Sequence, residues 1–523
     1  MFMNKTFEGD NIPKATKWLY LSSAMFRDLA YQFVSMFLLM FAQYCGLGGE
    51  SDYSQYLAMY GVISLVIIIL RLWDGINDPV MGFILEKSKL RKFGKYRPWI
   101  FIGAVGSSIM TILMFWLPVH GWAYVACFAI FYFFWDMTYT MNDIAYWSVL
   151  PSLSHHEKVR SQLTTIISIF VSIGAFTAGG LVPILSSALG YTVSYRLFSL
   201  IASVLYLVSQ VVLCIFMKER KEDKEQVEAS ENMKLREIFT VLGKNDQVRS
   251  SIIAVLLYYT GSSILVTLGL NYFYFNFGYS DAGTYQFYFT IVYAAATLLA
   301  QFSFQFILNK LKWSMKKLLT ISGIVVGIGY LGLFFYVFLD PFTFFPLMAV
   351  LGFIVFYFQT FFQLIIYINI QDSIEYNEYK FGERRESAVF SLRALAAKLG
   401  SSIQQGVLYL ALLIGGLLAI SNSISGFEQE AIVKFDGDVA QISEYVKTNA
   451  DAITGIANVE LWQRVVYQIG FTIVPMIFMV GCFIFLGLTF RIDEHSHEKM
   501  VKEIAERKKE ANVERVENWN EWI

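Results

Sequence analysis

Apolar runs of the ~20 residues that a membrane-crossing helix requires recur along the whole chain. They fall at 17–45, 55–85, 98–118, 121–150, 162–189 and 194–217, and again at 250–276, 284–309, 318–339, 342–371, 387–420 and 463–490. A charged stretch, KERKEDKEQVEASENMKLREIFTVLGKNDQVR (218–249), separates the two groups of six. The pattern predicts an all-α membrane protein with twelve transmembrane helices in two six-helix bundles. Residues 1–217 form the first bundle and 218–249 a cytosolic linker with a short amphipathic helix near its end. Residues 250–491 form the second bundle, and 492–523 a charged, helix-prone cytosolic tail. The 421–461 loop is mostly polar and acidic, with partly helical spacing in IVKFDGDVAQISEYVKTN.

Basic residues in short loops set the orientation. The loop EKSKLRKFGKYR after segment 2 holds six basic residues and one acid. Lys310, Lys312, Lys316 and Lys317 follow segment 8, and Lys380, Arg384 and Arg385 follow segment 10. On the other side, GLGGESDYS and FGYSDAG contain no Lys or Arg. Both termini are therefore expected in the cytosol of a multi-pass inner (cytoplasmic) membrane protein, with the 421–461 loop outside. Composition agrees: 56% of the 523 residues are hydrophobic and 16% charged, against about 25% charged in soluble domains. A net charge of −1 gives nucleic acid no purchase. Cys45, Cys127, Cys214 and Cys482 are scattered and form no CxxC, so they read as small packing residues. The polar N-terminus lacks the apolar core of a signal peptide.

Ionisable residues within membrane segments cost at least ~2.5–3.5 kcal/mol each, and here they concentrate in a few helices. Segment 2 reads IIILRLWDGINDPVMGFIL, with Arg71, Asp74 and Asp78 at spacings of three and four on one face and Asn77 beside them. Pro79 tends to free the carbonyl of Gly75. Two carboxylates, an amide oxygen and a freed carbonyl make a hard oxygen site suited to Na⁺, Li⁺ or a shared proton. The plainer alternative is that Arg71 neutralises one Asp and a neighbouring helix pairs the other. In segment 4, Asp136, Thr140, Asp143 and Trp147 lie on one stripe. A carboxylate beside an indole suits a sugar: the oxygens accept hydroxyl hydrogen bonds while the ring covers a C–H face. Trp147 alone has a second reading, as an interfacial anchor, because the segment ends soon after it. Segment 1 holds Arg27 and Asp28 near Tyr31 and Gln32, either facing a cavity or paired near the membrane surface. Segment 11 holds Arg393 and Lys398. Lys398 is ~18 Å into its helix, too deep to snorkel easily. There is no HExxH, GxSxG or P-loop, and no His pair with metal-ligand spacing, so no enzyme chemistry and no cofactor is expected.

At RLWDGINDPVMG followed by KSKLRKFGKYRPW, the chain resembles the glycoside–pentoside–hexuronide:cation symporters, the melibiose permease-like family of the major facilitator superfamily. The likeness continues through YTMNDIAYWSVLP, KNDQ and DSIEYNEYKFGERRES. It implies the major facilitator fold, alternating access, and a sugar and a coupling cation (Na⁺, Li⁺ or H⁺) as partners beside the bilayer, handled by a monomer. The family's cation site corresponds to Asp74, Asn77, Asp78 and Thr140. Its sugar-binding carboxylates correspond to Asp28 and Asp143, its stacking tryptophan to Trp147 and its segment 11 lysine to Lys398. The departures lie in the polar pocket. Ser168 stands where melibiose permease has an arginine, Gln363 where it has a tryptophan, Arg393 where it has a glutamine and Ala145 where it has a proline. Arg393 admits three readings: a replacement for the lost arginine on a neutral glycoside or pentoside, a carboxylate binder for a hexuronide, or a snorkelling residue that touches no substrate. Two competing functions are a sodium-dependent lysolipid carrier of the same superfamily and a non-transporting membrane sensor. Asp28, Asp143 and Trp147 favour sugar.

Overall fold

The computed structural model describes residues 6–7, 12–42, 47, 53–88, 94–154, 157–189, 191–220, 235–267, 269–435, 439–492, 496–497 and 499–507. Almost all of it is helix, built as two groups. The first comprises α1 (Lys14–Phe41), α2 (Tyr53–Glu86), α3 (Arg97–Trp116), α4 (Gly121–Leu153), α5 (Glu157–Leu189) and α6 (Tyr191–Phe216). An amphipathic helix α7 (Leu235–Lys244) then leads into α8 (Asp246–Thr267), α9 (Gly269–Phe277), α10 (Tyr279–Asn309), α11 (Met315–Phe335), α12 (Phe345–Phe381) and α13 (Glu386–Ile414). After a helical pair, α14 (Leu418–Lys434) and α15 (Val439–Asp451), the last crossing is α16 (Leu461–Gln468) joined to α17 (Val474–Thr489). Taking α8 with α9 and α16 with α17, each group supplies six long helical rods where the apolar runs predict them. The loop expected to be partly helical holds two helices. β1 (Thr6–Phe7) and β2 (Glu219–Arg220) add a two-residue parallel pairing that the hydropathy pattern does not signal.

Local chemistry explains the breaks. α16 and α17 are joined by a π-helical turn, Ile469–Ile473, just before Pro475, which has no amide for the ladder. Ser314 caps α11 by accepting the Lys317 amide, and Gly382 closes α12 in the left-handed region at φ 74°. Seven of the described helices are long and apolar enough to cross a membrane. Large apolar side chains face outward on them, up to Leu488 at 75% exposure. With lipid as the surrounding solvent that surface carries no penalty.

Within the first group α1 packs on α5 and α6, and α3 on α4 and α6. Within the second, α8 packs on α13 and α17, and α12 on α10 and α11. The seam between them is made by α2 and α4 against α13, and α5 against α10 and α12. Gly82 of α2 lets the backbones approach across this seam, since a Cβ there would overlap Ser391 of α13.

The seam is bolted at the face that carries both the inter-bundle connection and the tail, here the terminal face. Arg160 of α5 donates to Asp372 at 2.5 Å and also pairs with Glu375, both on α12. Arg384 reaches the Pro151 carbonyl of α4 at 2.9 Å while pairing with Glu378 and Glu386. The Tyr96 hydroxyl donates to Glu386 at 2.8 Å, and the Ser387 amide donates to Glu86 at 3.0 Å. From the tail, His497 lies 2.5 Å from Glu375 and 2.8 Å from Arg160. At the opposite face, α14 and α15 are pinned to the start of α10 by Tyr279–Glu428 at 3.2 Å and by the Ser280 amide on Asp451 at 2.9 Å.

Candidate functional site

The long helices that carry membrane-depth charge are α1, α2, α4 and α13, and all four converge on the seam. Asp143 of α4 sits at the centre. Its Oδ1 accepts from Arg27 of α1 at 2.7 Å, and its Oδ2 lies 3.5 Å from the guanidinium of Arg393 on α13. The other terminal nitrogen of Arg27 donates to Asp28 at 2.9 Å. Two arginines thus face two carboxylates, and the cluster is formally neutral. Arg27 is sealed, at 2% side-chain exposure, whereas Asp143 keeps 20%, so the central carboxylate remains reachable.

Trp147, one turn beyond Asp143, is buried. The Arg393 guanidinium lies over its ring at 4.8 Å and that of Arg27 at 5.4 Å. Tyr367 of α12 approaches the same indole at 5.5 Å between centroids, and Phe390 of α13 lies parallel to it at 6.5 Å. Trp147 is therefore an inter-bundle contact, and the anchoring alternative does not describe its position. Arg393 is buried too, and does not reach out of the fold. Gln363 joins through Tyr367, whose hydroxyl it meets at 3.4 Å and which pairs with the Tyr259 hydroxyl at 2.7 Å. Ser168 of α5 is buried, and its hydroxyl has no hydrogen-bond partner in the protein.

Asp78 forms a second focus. The Lys398 ammonium of α13 donates to its Oδ1 at 3.0 Å, another bridge across the seam. Asn77 is buried with its side-chain NH₂ unmatched by protein, and Thr140 is buried on α4, which packs along α2. The side chains of Arg71 and Asp74 lie outside the described residues, so the pairing expected between them is not part of the geometry. Among the described residues no group of three or more His, Cys, Asp or Glu could hold a metal ion.

The site thus gathers Asp28, Asp143, Trp147, Gln363 and Arg393 around one centre and Asn77, Asp78 and Lys398 around another. Lys398 pairs with Asp78 and makes no described contact with Trp147. Five residues of helix turn it ~140° from Arg393, so one cannot serve the focus of the other. The pattern reading missed Tyr367, Tyr259 and Phe390. With 47 Phe and 31 Tyr in the chain, no spacing rule separates ring against ligand from ring against lipid.

The sequence profile described as MFS/sugar transport protein matches residues 23–435. The chain belongs to that family. The lactose permease of Leuconostoc lactis is 28% identical over 391 residues, covering 70% of this chain and 56% of the relative. The raffinose carrier protein of Pediococcus pentosaceus is 27% identical over 390 residues, covering 72% and 57%. The chain thus spans under two thirds of the length of these curated relatives. The E. coli fucose:proton symporter shares the fold at a TM-score of 0.54 and 13% identity, over 89% of this chain and 98% of that one. The chain is accordingly a multi-pass membrane protein with the major facilitator fold, as the motif resemblance implies. Its relatives are carriers and not enzymes.

Proposed function

We propose that the chain is a cation-coupled sugar symporter working by alternating access, as a monomer, with both termini in the cytosol and the terminal face turned inward. Residues 1–217 and 250–491 are the two moving bundles, 218–249 the cytosolic linker and 492–523 the tail. The observation that carries the reading is Asp143 held between Arg27 of its own bundle and Arg393 of the other, beside Trp147. A carboxylate with a retained opening, the Arg27 guanidinium and an indole supply hydroxyl acceptors, bidentate donors and a stacking face at one point between the bundles. Asp28, Gln363 and the Tyr367 hydroxyl extend the polar wall. Because the two arginines offset the two carboxylates, the site has no net positive charge to hold a hexuronide's carboxylate, and a neutral glycoside or pentoside fits better. A lysolipid carrier would need an apolar wall where these charges stand.

Coupling rests on Asp78, with Asp74, Asn77 and Thr140 as the remaining donors. A carboxylate that holds an ammonium at 3.0 Å can exchange it for Na⁺, Li⁺ or a proton, which enter here as cargo. Cation and sugar sites share α4 through Thr140 and Asp143, one turn apart, so filling one changes the other, and linkage makes that effect reciprocal. The test is uptake into proteoliposomes of lactose, raffinose, pentosides and glucuronides, each with and without a Na⁺, Li⁺ or pH gradient. Gradient-driven accumulation of a neutral sugar is expected. Accumulation of glucuronides alone would overturn the neutral reading, and uptake of lysophosphatidylcholine with no sugar would overturn the sugar reading.

A further inference from the structure

Arg393 does two things at once. Its guanidinium occupies the space over the Trp147 ring at 4.8 Å, and it engages Asp143 at 3.5 Å from the opposite bundle. It is also 5.6 Å from Tyr367 and 5.7 Å from Phe390, so it fills an aromatic box whose walls come from α4, α12 and α13. A flat, hydrogen-bonding cation in such a box takes the two interactions that a sugar ring would need, stacking on the indole and hydrogen bonding to the carboxylate. Its Nε is buried and has no partner in the protein, so the box holds Arg393 without fully satisfying it. The contrast with Arg27 is informative. Arg27 lies on the same bundle as Asp143 and Trp147 and is held by Asp28 as well, so bundle motion leaves it in place.

We infer that Arg393 is a tethered occupant of the substrate site: in the empty carrier it holds Asp143 and Trp147 in place of sugar, and sugar binding displaces it. This rests on the reading of Asp143 and Trp147 as the sugar site. It assigns Arg393 a role opposite to that of a substrate ligand, because it competes with the sugar. It also makes the competition mechanical. The Arg393–Asp143 contact is a strut between α13 and α4, so the arriving sugar removes a link between the bundles as it binds. A carrier with such a strut distinguishes empty from loaded at the point where the bundles must part.

The two ideas predict opposite signs for one variant. A competent site occupied by its own tether for a fraction of the time has its apparent affinity reduced by that fraction. Arg393→Gln, which removes the tether and keeps a hydrogen-bonding side chain, should therefore bind lactose about three- to tenfold more tightly than the wild type if the tether holds ~70–90% of the empty population. Arg393→Lys retains the charge on Asp143 but cannot stack as a planar group. It should fall between the two, and it carries the test if the Gln variant does not fold. Weaker lactose binding in Arg393→Gln would make Arg393 a direct ligand and overturn the inference. A sugar-free readout separates this failure from that of the sugar reading. In thermal melts of the detergent-purified full chain, Arg393→Gln and Asp143→Asn should be non-additive, the double variant melting no lower than the worse single one. Additive losses would remove the strut and with it the proposal. Non-additive melts with no lactose or raffinose binding to wild type or variant would leave the strut and overturn the displacement step through the sugar reading.

Discussion

Replacing Arg160 by alanine should open the terminal face. The side chain is fully buried, donates to Asp372 at 2.5 Å and pairs with Glu375, whose side chains are 5% and 1% exposed. Removing it leaves both carboxylates in a site that desolvates them, with only His497 and the more distant Arg384 as cationic partners in the described contacts. Breaking a buried pair by deleting one partner costs ~3–5 kcal/mol. That cost falls on the closed arrangement alone, because parting α5 from α12 returns Asp372 and Glu375 to water. At ~1.4 kcal/mol per factor of ten, the ratio of open to closed shifts by about a hundredfold or more. The assay is the alkylation rate of a cysteine placed at Thr164, which is buried beside Gln371 at 2.8 Å on the same seam. Its labelling should rise steeply in Arg160→Ala. It should return toward the parent rate in Arg160→Met/Asp372→Asn/Glu375→Gln, where neutral groups of similar bulk replace the three buried charges, His497 can stay neutral and Arg384 keeps Glu378 and Glu386. Unchanged labelling in Arg160→Ala would show that the ion pairs do not hold the bundles together.

Three further outcomes follow from the same geometry. Asp78→Asn should abolish cation-stimulated uptake while leaving some cation-independent sugar binding, since it removes the charge that holds Lys398; intact Na⁺ and pH dependence would defeat the cation-site assignment. Burial disfavours the His497 imidazolium, but the Glu375 hydrogen bond and the Asp372 charge outweigh it and raise the pKa. Tail docking is therefore strongest below the unfolded value of ~6.5 and is lost as pH rises through the higher folded value. A nitroxide at Lys502 should gain mobility over that rise and show no such step in His497→Gln; a pH-independent spectrum in the parent protein would refute it. A cysteine at Ser423 should react with an impermeant reagent from outside and one at Ser88 only after permeabilisation, and the reverse pattern would invert the assigned topology.

The charges at membrane depth explain why so much was legible. Only a cavity, a partner or a function makes Asp28, Asp78, Asp143, Arg393 and Lys398 tolerable in lipid, and the helices that carry them meet at the seam. The sequence could not say which charge meets which. Arg27 and Asp28 read as a neighbouring pair, yet the second guanidinium nitrogen of Arg27 reaches 116 positions along the chain to Asp143. Lys398 and Arg393 both read as substrate-site candidates of segment 11, yet they meet different carboxylates, Asp78 and Asp143, and only the helical angle between them hinted at it. The terminal-face bolts were least visible. Arg160 looks like an ordinary positive-inside residue before an apolar run, and Asp372 and Glu375 like the polar end of another. Their roles exist only once α5 and α12 lie side by side. That division suits the proposed carrier, which alternates between two packings. Residues at membrane depth carry a solvation cost that composition reveals in either state. Contacts that exist in one packing and dissolve in the other must leave their partners soluble in water, and so they look like surface.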